Sequence, residues 1–297
     1  MPAVSRQPST CAAAPASCLA LRRRLWLTLA ALTAVGHITM VSLTQESPTR
    51  ALMSLLIWGG ALICLEDQLP ELAPAPSAFS LGLGSLLLAV GLQRTAAVLH
   101  LDSAAVLLPI WLGTGLALLC WPLRRLLRWG PSLLVLALLP LSELLTRVLP
   151  EPPLSHLTAR LCQGLLLLGG VDAAAAGRQV TLSGGSVLIS ETCAGIDVIA
   201  QLLVIAVVFV LAFPLPLRRS RWLLLAIAPL VALLGNAFRI ALLALISASQ
   251  WPNKDWWFGF FHEESGSLMF SGLSVAVFGW IYLAVLERQL QAREQRI

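Results

Sequence analysis

Residues 178–197 read RQVTLSGGSVLISETCAGID, and this stretch decides how the rest of the chain is organised. It interrupts a sequence that is otherwise apolar and helix-like. Apolar residues alternate with polar ones on both sides of the pair Gly184-Gly185, at Val180, Leu182, Val187 and Ile189. Two short alternating runs around a Gly-Gly turn predict a β-hairpin.

The hairpin delivers Glu191, Thr192 and Cys193 to the head of an apolar run that begins at Gly195. We therefore expect Cys193 to lie where a helix begins. The positive end of the helix dipole stabilises a thiolate at that place, and the thiolate is the nucleophilic form of cysteine. Cys193 is the candidate reactive centre.

The composition indicates an integral membrane protein. Of the 297 residues, 58% are hydrophobic and 12% are charged, whereas soluble domains carry about 25% charged residues. Several apolar runs approach the roughly 20 residues that cross a bilayer. We predict an all-α, polytopic helical bundle with about eight transmembrane helices and a short extracytoplasmic β-hairpin before the catalytic cysteine. The predicted spans are 25–43, 51–66, 79–99, 104–122, 131–148, 195–213, 222–247 and 266–286.

The basic residues predict the orientation of these spans. Thirteen of the 20 Lys and Arg residues fall in segments on one side and five on the other, while Arg94 and Arg239 lie within spans. Segments rich in Lys and Arg stay in the cytoplasm, so both termini are expected there. Because the basic residues form short clusters between spans, no nucleic-acid partner is expected. We predict a disordered tail over 1–21, one membrane-embedded domain over 22–290 and a second tail over 291–297.

Three chemically reactive residues are predicted to lie at one membrane face. Cys193 opens the sixth span, Arg239 lies in the outer half of the seventh, and His262 precedes the eighth. A thiol, an imidazole and a guanidinium at one depth indicate acyl transfer: the thiol attacks a carbonyl, His262 moves the proton and Arg239 stabilises the oxyanion. Alternatively, Arg239 pairs with Glu191, Asp197 or Glu263 only to hold the bundle together, or extends its side chain to the outer membrane interface.

The motifs around these residues resemble those of the exosortase/archaeosortase family. Residues 191–196 (ETCAGI) resemble its cysteine motif, in which an acidic residue precedes Cys, a small residue, Gly and an apolar residue. Residues 236–240 (NAFRI) are similar to its Asn-x-x-Arg-Ile signature. Residues 262–270 (HEESGSLMF) match the His-x-x-x-Gly-x-x-x-Phe pattern that opens its last span. The resemblance covers about residues 130–290, with one departure at Ala194, where many members carry Ser.

The resemblance implies a transpeptidase or protease of the bacterial plasma membrane, embedded in the lipid bilayer. Its substrates would be exported proteins with a tripartite, PEP-CTERM-like C-terminal tail: a recognition motif, a transmembrane helix and a basic cluster. Cys193, Arg239 and His262 would be catalytic, while Glu191 and Asn236 would support them. A thioester on Cys193 would be resolved by an acceptor, for which both water and an amine are compatible with the motifs.

Some features of the sequence are also found in two other classes of protein. Glu143 and Arg147 match half of a Glu-Glu-x-x-x-Arg protease motif, but its second Glu is missing, and His262-Glu263-Glu264 lacks the second His of a zinc motif. The six cysteines also show no CxxC pair or metal-ligand spacing, so no metal or cofactor is expected. A transporter or scaffold with structural Cys, Arg and His remains the alternative. It predicts that Cys193 is dispensable.

Overall fold

The structure, a computed structural model, describes residues 16–45, 48–66, 76–97, 106–190 and 193–295. Ten α-helices lie within these ranges, with a short 3-10 helix at Leu123–Trp129 and a small sheet between the sixth and seventh helices. The helices are α1 Ala16–Gln45, α2 Pro48–Glu66, α3 Ala78–Ala97, α4 Leu108–Cys120, α5 Gly130–Val148, α6 Glu151–Leu168, α7 Ile196–Ala212, α8 Arg218–Ala248, α9 Lys254–His262 and α10 Glu264–Glu294.

The fold is a helical, multi-pass membrane architecture, as predicted. Among the described residues, six helices are long and apolar enough to cross a membrane: α1, α2, α3, α5, α8 and α10. The two shorter apolar helices, α4 and α7, coincide with the predicted fourth and sixth spans. The number of eight crossings therefore stays a prediction.

The helix ends differ from the predicted tails. Helix α1 begins at Ala16, so residues 16–21 are helical where the sequence predicted disorder, and residues 1–15 lie outside the described part. At the other end, α10 continues to Glu294 and takes up part of the predicted tail over 291–297. Both helices extend past their apolar spans through segments that contain arginines.

The main core of the bundle surrounds α7, which packs against α2, α5, α8 and α10. Side chains that are almost fully buried, such as Ile57, Val135, Phe278 and Tyr282, fill this core. Apart from Asp197 and Gln201 near its start, α7 consists of apolar residues, which suits a helix that is surrounded by other helices. The first residue of α7, Ile196, lies three residues after Cys193, so this central helix fixes the candidate reactive centre.

A three-stranded antiparallel sheet precedes α7. Its strands are β1 Ala173–Ala176, β2 Gln179–Leu182 and β3 Gly185–Leu188, in the spatial order β1-β2-β3. Strands β2 and β3 occupy the two alternating runs of the sequence, and Leu182 is opposite Gly185 across a two-residue loop. Strand β1, a run of four alanines, had no alternating pattern and was not predicted.

The inner face of the sheet packs on α6 and α8. Val180, Leu182, Val187 and Ile189 are buried there against apolar residues of both helices and against Cys162 of α6. This second core, separate from the core around α7, also contains Cys193. The four apolar residues of the alternating pattern therefore face this core, and the residues that alternate with them are exposed.

The pair Gly184-Gly185 is explained by close packing. A Cβ atom at Gly184 would lie 2.5 Å from the carbonyl oxygen of Ala248, and one at Gly185 would lie 2.9 Å from that of Ser247. Both carbonyls belong to the last turn of α8. The sheet thus rests directly on the end of α8, and side chains at these two positions would push it away.

An exposed ion pair links the sheet to α6. Arg178 Nη1 lies 3.2 Å from Glu151 Oε1, and Ser155 Oγ donates to the same oxygen at 2.5 Å. The Ser155 hydroxyl and the Arg178 guanidinium hold the pKa of Glu151 below its ordinary value. The contact fixes the turn between β1 and β2 to the first turn of α6.

Candidate active site

Cys193 lies in the short connection between β3 and α7. Its amide donates to the Ser190 carbonyl at 3.0 Å, and its side chain is 5% exposed. Gly195, the N-cap residue of α7, has φ of +95°, a conformation that favours glycine. Cys193 therefore precedes the helix by a sharp turn. The predicted supporting residue Glu191 lies outside the described residues.

His262 lies beside the thiol. Its Nε2 atom is 3.8 Å from Cys193 Sγ, although the two residues are 69 positions apart in sequence. This is a hydrogen-bond distance for sulfur, and pairs of nucleophile and base are often looser without substrate. His262 is the last residue of α9, and Phe258 stacks on its ring with centroids 5.6 Å apart. Phe258 thus restricts the orientation of the imidazole.

Arg239 is buried in α8 and contacts the end of α9. Its Nε donates to the Phe261 carbonyl at 3.0 Å, and its Nη2 donates to the His262 carbonyl at 2.8 Å. The last carbonyls of a helix have no partner within the helix and carry the negative end of its dipole. The guanidinium therefore fixes the backbone of His262 and lies within electrostatic range of Cys193.

The alternative in which Arg239 only pairs with a carboxylate finds no support in the described residues. Neither Asp197 nor Glu263 lies within ion-pair distance of the guanidinium, and Glu191 is outside the described part. Of the guanidinium nitrogens, Nε and Nη2 bond to α9, while Nη1 has no hydrogen-bond partner in the part of the chain that the structure describes.

Asn236 lies one turn before Arg239 on the same helix and fixes the backbone of the nucleophile. Its Nδ2 donates to the Cys193 carbonyl at 2.9 Å, and the side chain is 2% exposed. A Cβ atom at Gly195 would lie 2.8 Å from this Nδ2 atom. Helix α8 thus contacts both halves of the site: Asn236 holds the Cys193 loop, and Arg239 holds the His262 end.

Two further residues position the site without having been predicted to do so. The buried Thr158 of α6 donates to the Ala194 carbonyl at 2.9 Å, on the peptide next to that held by Asn236. A Cβ atom at Gly266 would lie 2.4 Å from Phe261 Cα, so α10 starts in direct contact with α9. Gly266 is part of the motif at residues 262–270, although no positioning role was predicted for it. Thr158 is a single threonine in an amphipathic helix, and no sequence pattern indicates its contact with the site.

The predicted site residues that the structure describes therefore meet at one place. Hydrogen bonds join His262 and Asn236 to Cys193. Arg239 joins this group through the backbone carbonyl of His262. The arrangement supplies a thiol, a proton carrier and a buried cation. No group of three or more His, Cys, Asp or Glu side chains within the described ranges could hold a metal ion.

The chain was compared with protein families, curated proteins and solved structures. The family model described as "Transmembrane exosortase (Exosortase_EpsH)" matches residues 42–279. The match begins well before residue 130, where the resemblance seen in the sequence motifs began. No curated protein and no solved structure matches the chain. The family match covers most of the 297 residues and includes all three motifs around Cys193, Arg239 and His262, so the chain belongs to the transmembrane exosortase family.

Proposed function

We propose that the protein is a cysteine transpeptidase or protease that cleaves C-terminal sorting tails from exported proteins at the outer face of the plasma membrane. One observation carries this proposal: the Sγ atom of Cys193 lies 3.8 Å from Nε2 of His262. Membership of the exosortase family favours this enzyme over a transporter or scaffold, in which Cys193 would be dispensable.

The reaction begins at the thiol. His262 takes the proton of Cys193, and the sulfur attacks the carbonyl carbon of the scissile peptide bond. The carbon–nitrogen bond then breaks, and His262 returns the proton to the nitrogen of the departing tail. A thioester now joins the exported protein to Cys193. The exported protein leaves when an acceptor amine or water attacks the thioester, gives its proton to His262 and releases the thiol.

Arg239 has two roles in this proposal. Through Nε and Nη2 it holds the carbonyls of Phe261 and His262, which keeps the imidazole beside the thiol. Through its positive charge and the remaining Nη1 it stabilises the negative charge that develops on the carbonyl oxygen under attack. A buried cation is effective there because the apolar surroundings screen its field weakly. Asn236 and Thr158 act as positioning residues because they touch only backbone carbonyls.

The excess of basic residues on one side of the predicted spans supports the orientation. With both termini in the cytoplasm, the sheet, Cys193 and His262 face the exterior. When an exported protein is anchored by the transmembrane helix of its tail, the segment just before that helix lies at the outer surface of the membrane, level with Cys193 and His262. The site therefore acts on a peptide bond just outside the apolar layer.

The test uses a tail reporter, which we define as an exported soluble domain joined to the C-terminal tail of an exported protein from the same host. Membranes would contain the wild-type enzyme, Cys193→Ala or Cys162→Ala, and blots would compare the anchored precursor with the shortened product. Cys162 is the matched control because it is a buried thiol of the same apolar cluster. We expect the precursor to accumulate with Cys193→Ala only. Normal processing by Cys193→Ala at equal enzyme levels would refute the proposal.

A further inference from the structure

A polar cavity lies next to Arg239 within the helical bundle. Its volume is about 330 Å³, near the lower end of the range of roughly 300–1,000 Å³ for ligand pockets. Cys193 and His262 are not among the described residues that line it. Polar side chains from six helices do so: His37 of α1, Ser54 of α2, Glu143 of α5, Asp197 of α7, Arg239 of α8 and Ser267 of α10.

The cavity contains hydrogen-bonding groups that the protein itself does not use. Ser54 is 1% exposed, and its hydroxyl has no hydrogen-bond partner within the described part of the chain. An unpaired hydroxyl in such a place costs about 1–3 kcal/mol. Arg239 bonds to two carbonyls of α9 through Nε and Nη2, but no carboxylate lies within ion-pair distance of it among the described residues. The Ser54 hydroxyl itself is shielded from the open space, whereas the Nη1 atom of Arg239 is available to bond to a polar ligand in the cavity.

The lining offers donors and acceptors together. Gln201 and Arg239 supply donors, and the carboxylates of Glu143 and Asp197 supply acceptors. Trp58 Nε1 donates to His37 Nδ1 at 3.4 Å, so a neutral His37 carries its proton on Nε2 and is a further donor. An extended polypeptide presents both N–H and C=O groups along its length. A short peptide segment is therefore the ligand whose chemistry matches this lining.

The position of the cavity indicates which part of a peptide it would hold. Gly195, Asp197 and Gln201 of the segment after Cys193 all line the cavity. Asp197 and Gln201 are four residues apart, which is about 6 Å along a helix. The cavity thus runs from the candidate active site along α7 into the apolar bundle. A peptide chain that enters the membrane after the scissile bond would follow this direction.

An apolar groove of about 380 Å³ continues from the cavity between α5 and α7. The walls of the groove and the cavity share Ser142 and Ala200. Beyond these two residues the groove is lined by leucine and valine, including Leu144, which is 55% exposed. On α7 the lining passes from Asp197 and Gln201 in the cavity to Leu203 and Val207 in the groove. Along this helix the path therefore changes from polar to apolar away from Cys193, in the same order as a polar segment followed by a transmembrane helix.

We infer that the polar cavity binds the short segment of the substrate's tail directly after the scissile bond, and that the transmembrane helix of the tail lies in the groove between α5 and α7. The inference rests on the proposed function and adds the place where the departing half of the substrate is held. It also assigns a role to Ser54, Asp197 and Gln201, none of which touches the thiol–imidazole pair.

Photocrosslinking tests this placement directly. p-Benzoylphenylalanine would replace Gln201 in the cavity, Leu144 in the groove or Leu273 on the exposed face of α10, each in a Cys193→Ala enzyme that leaves the tail reporter uncleaved. Leu273 is the matched control for Leu144 because both side chains are 55% exposed, and it lines neither the cavity nor the groove. We expect crosslinks to the reporter from positions 201 and 144 and few from 273. Crosslinks that are absent from 201 and 144, or equally strong from 273, would overturn the inference.

A second measurement uses an enzyme with its active thiol. Ser54→Val adds bulk to the cavity, and Ser132→Val is its control, because Ser132 is also buried and lacks a hydrogen-bond partner but lines a different cavity. We expect Ser54→Val to slow reporter processing roughly tenfold, corresponding to about 1.4 kcal/mol. Alkylation of Cys193 by iodoacetamide should stay at the wild-type rate, since that small reagent does not need the cavity.

The two proposals fail differently. If Ser54→Val processes the reporter as fast as Ser132→Val while processing still requires Cys193, the cavity assignment is wrong and the proposed function stands. If the Cys193→Ala enzyme processes the reporter as fast as the wild-type enzyme does, the proposed function itself is wrong.

Discussion

At the scale of single residues, the candidate nucleophile is held by bonds to its backbone. Asn236 and Thr158 donate to two successive carbonyls, those of Cys193 and Ala194. Gly195 then turns the chain with a positive φ into α7. The thiol is thus presented by a loop whose peptide groups are fixed from α6 and α8. Changes to these contacts should alter catalysis without touching the sulfur.

Asn236→Asp keeps the size of the side chain but replaces the amide donor with an acceptor that faces the Cys193 carbonyl. We expect it to slow reporter processing more than Asn236→Ala does, because Ala only removes the hydrogen bond. The loss for Ala should be about tenfold, since one buried hydrogen bond contributes about 1–1.5 kcal/mol. Processing rates at equal enzyme levels measure both variants. Equal rates for Asp and wild type would contradict the positioning role.

Gly195→Ala should impair the enzyme through the backbone. A left-handed conformation costs an L-residue about 1–2 kcal/mol, and the new Cβ would lie 2.8 Å from Asn236 Nδ2. We expect processing to fall at least about tenfold. Gly272→Ala in α10 is the control, because no atom lies within 4 Å of its added Cβ. If both variants process the reporter equally well, the turn at Gly195 is not required.

At the scale of secondary-structure elements, Arg239 connects α8 to α9. Arg239→Lys keeps the charge, but a single ammonium group does not reproduce the two-point contact with the Phe261 and His262 carbonyls. We expect the end of α9 to loosen, with faster hydrogen exchange over residues 254–262 and slower processing. Exchange in the strands β2 and β3 should stay unchanged and serves as the internal control. Unchanged exchange in α9 would show that Arg239 does not hold this helix.

The element scale also shows which features the sequence could predict. The alternation around Gly184-Gly185 predicted the region of β2 and β3, because every second side chain of a strand on a core is buried and is therefore apolar. Strand β1 consists of alanines, which have no strand preference, and pairs only because β2 lies beside it. The Arg239–α9 contact depends on how two helices cross, which no local pattern encodes. The order of the predicted spans nevertheless brought Cys193, Arg239 and His262 to one expected membrane face, and in the structure the three residues lie together.

At the scale of the whole molecule, the account requires a defined orientation in the membrane. Single cysteines would be introduced at Ser183, in the exposed turn of the sheet, and at Arg219, in the exposed start of α8. A membrane-impermeant maleimide added to intact cells should label Ser183→Cys. Arg219→Cys should react only after the membrane is opened, because clusters of Arg stay in the cytoplasm. The reverse pattern would place Cys193 and His262 on the cytoplasmic side.

Whole-molecule features were predictable from the sequence to different degrees. Composition and apolar runs predicted the multi-pass bundle, since a bilayer demands long apolar helices. The start of α1 at Ala16 was missed because the prediction followed hydropathy, whereas helix formation continued through Arg22 and its neighbours. The cavity beside Arg239 was also missed. Its lining comes from six helices, so it exists only once they are packed.

The most direct test of the central claim is the detection of a thioester on Cys193. Purified wild-type enzyme would be mixed with the tail reporter, quenched in acid and examined by mass spectrometry, with and without hydroxylamine. The account predicts an adduct between the N-terminal part of the reporter and the peptide that contains Cys193, released by hydroxylamine and absent from Cys193→Ala. Processing with no such adduct, or with an adduct on another cysteine, would contradict the account.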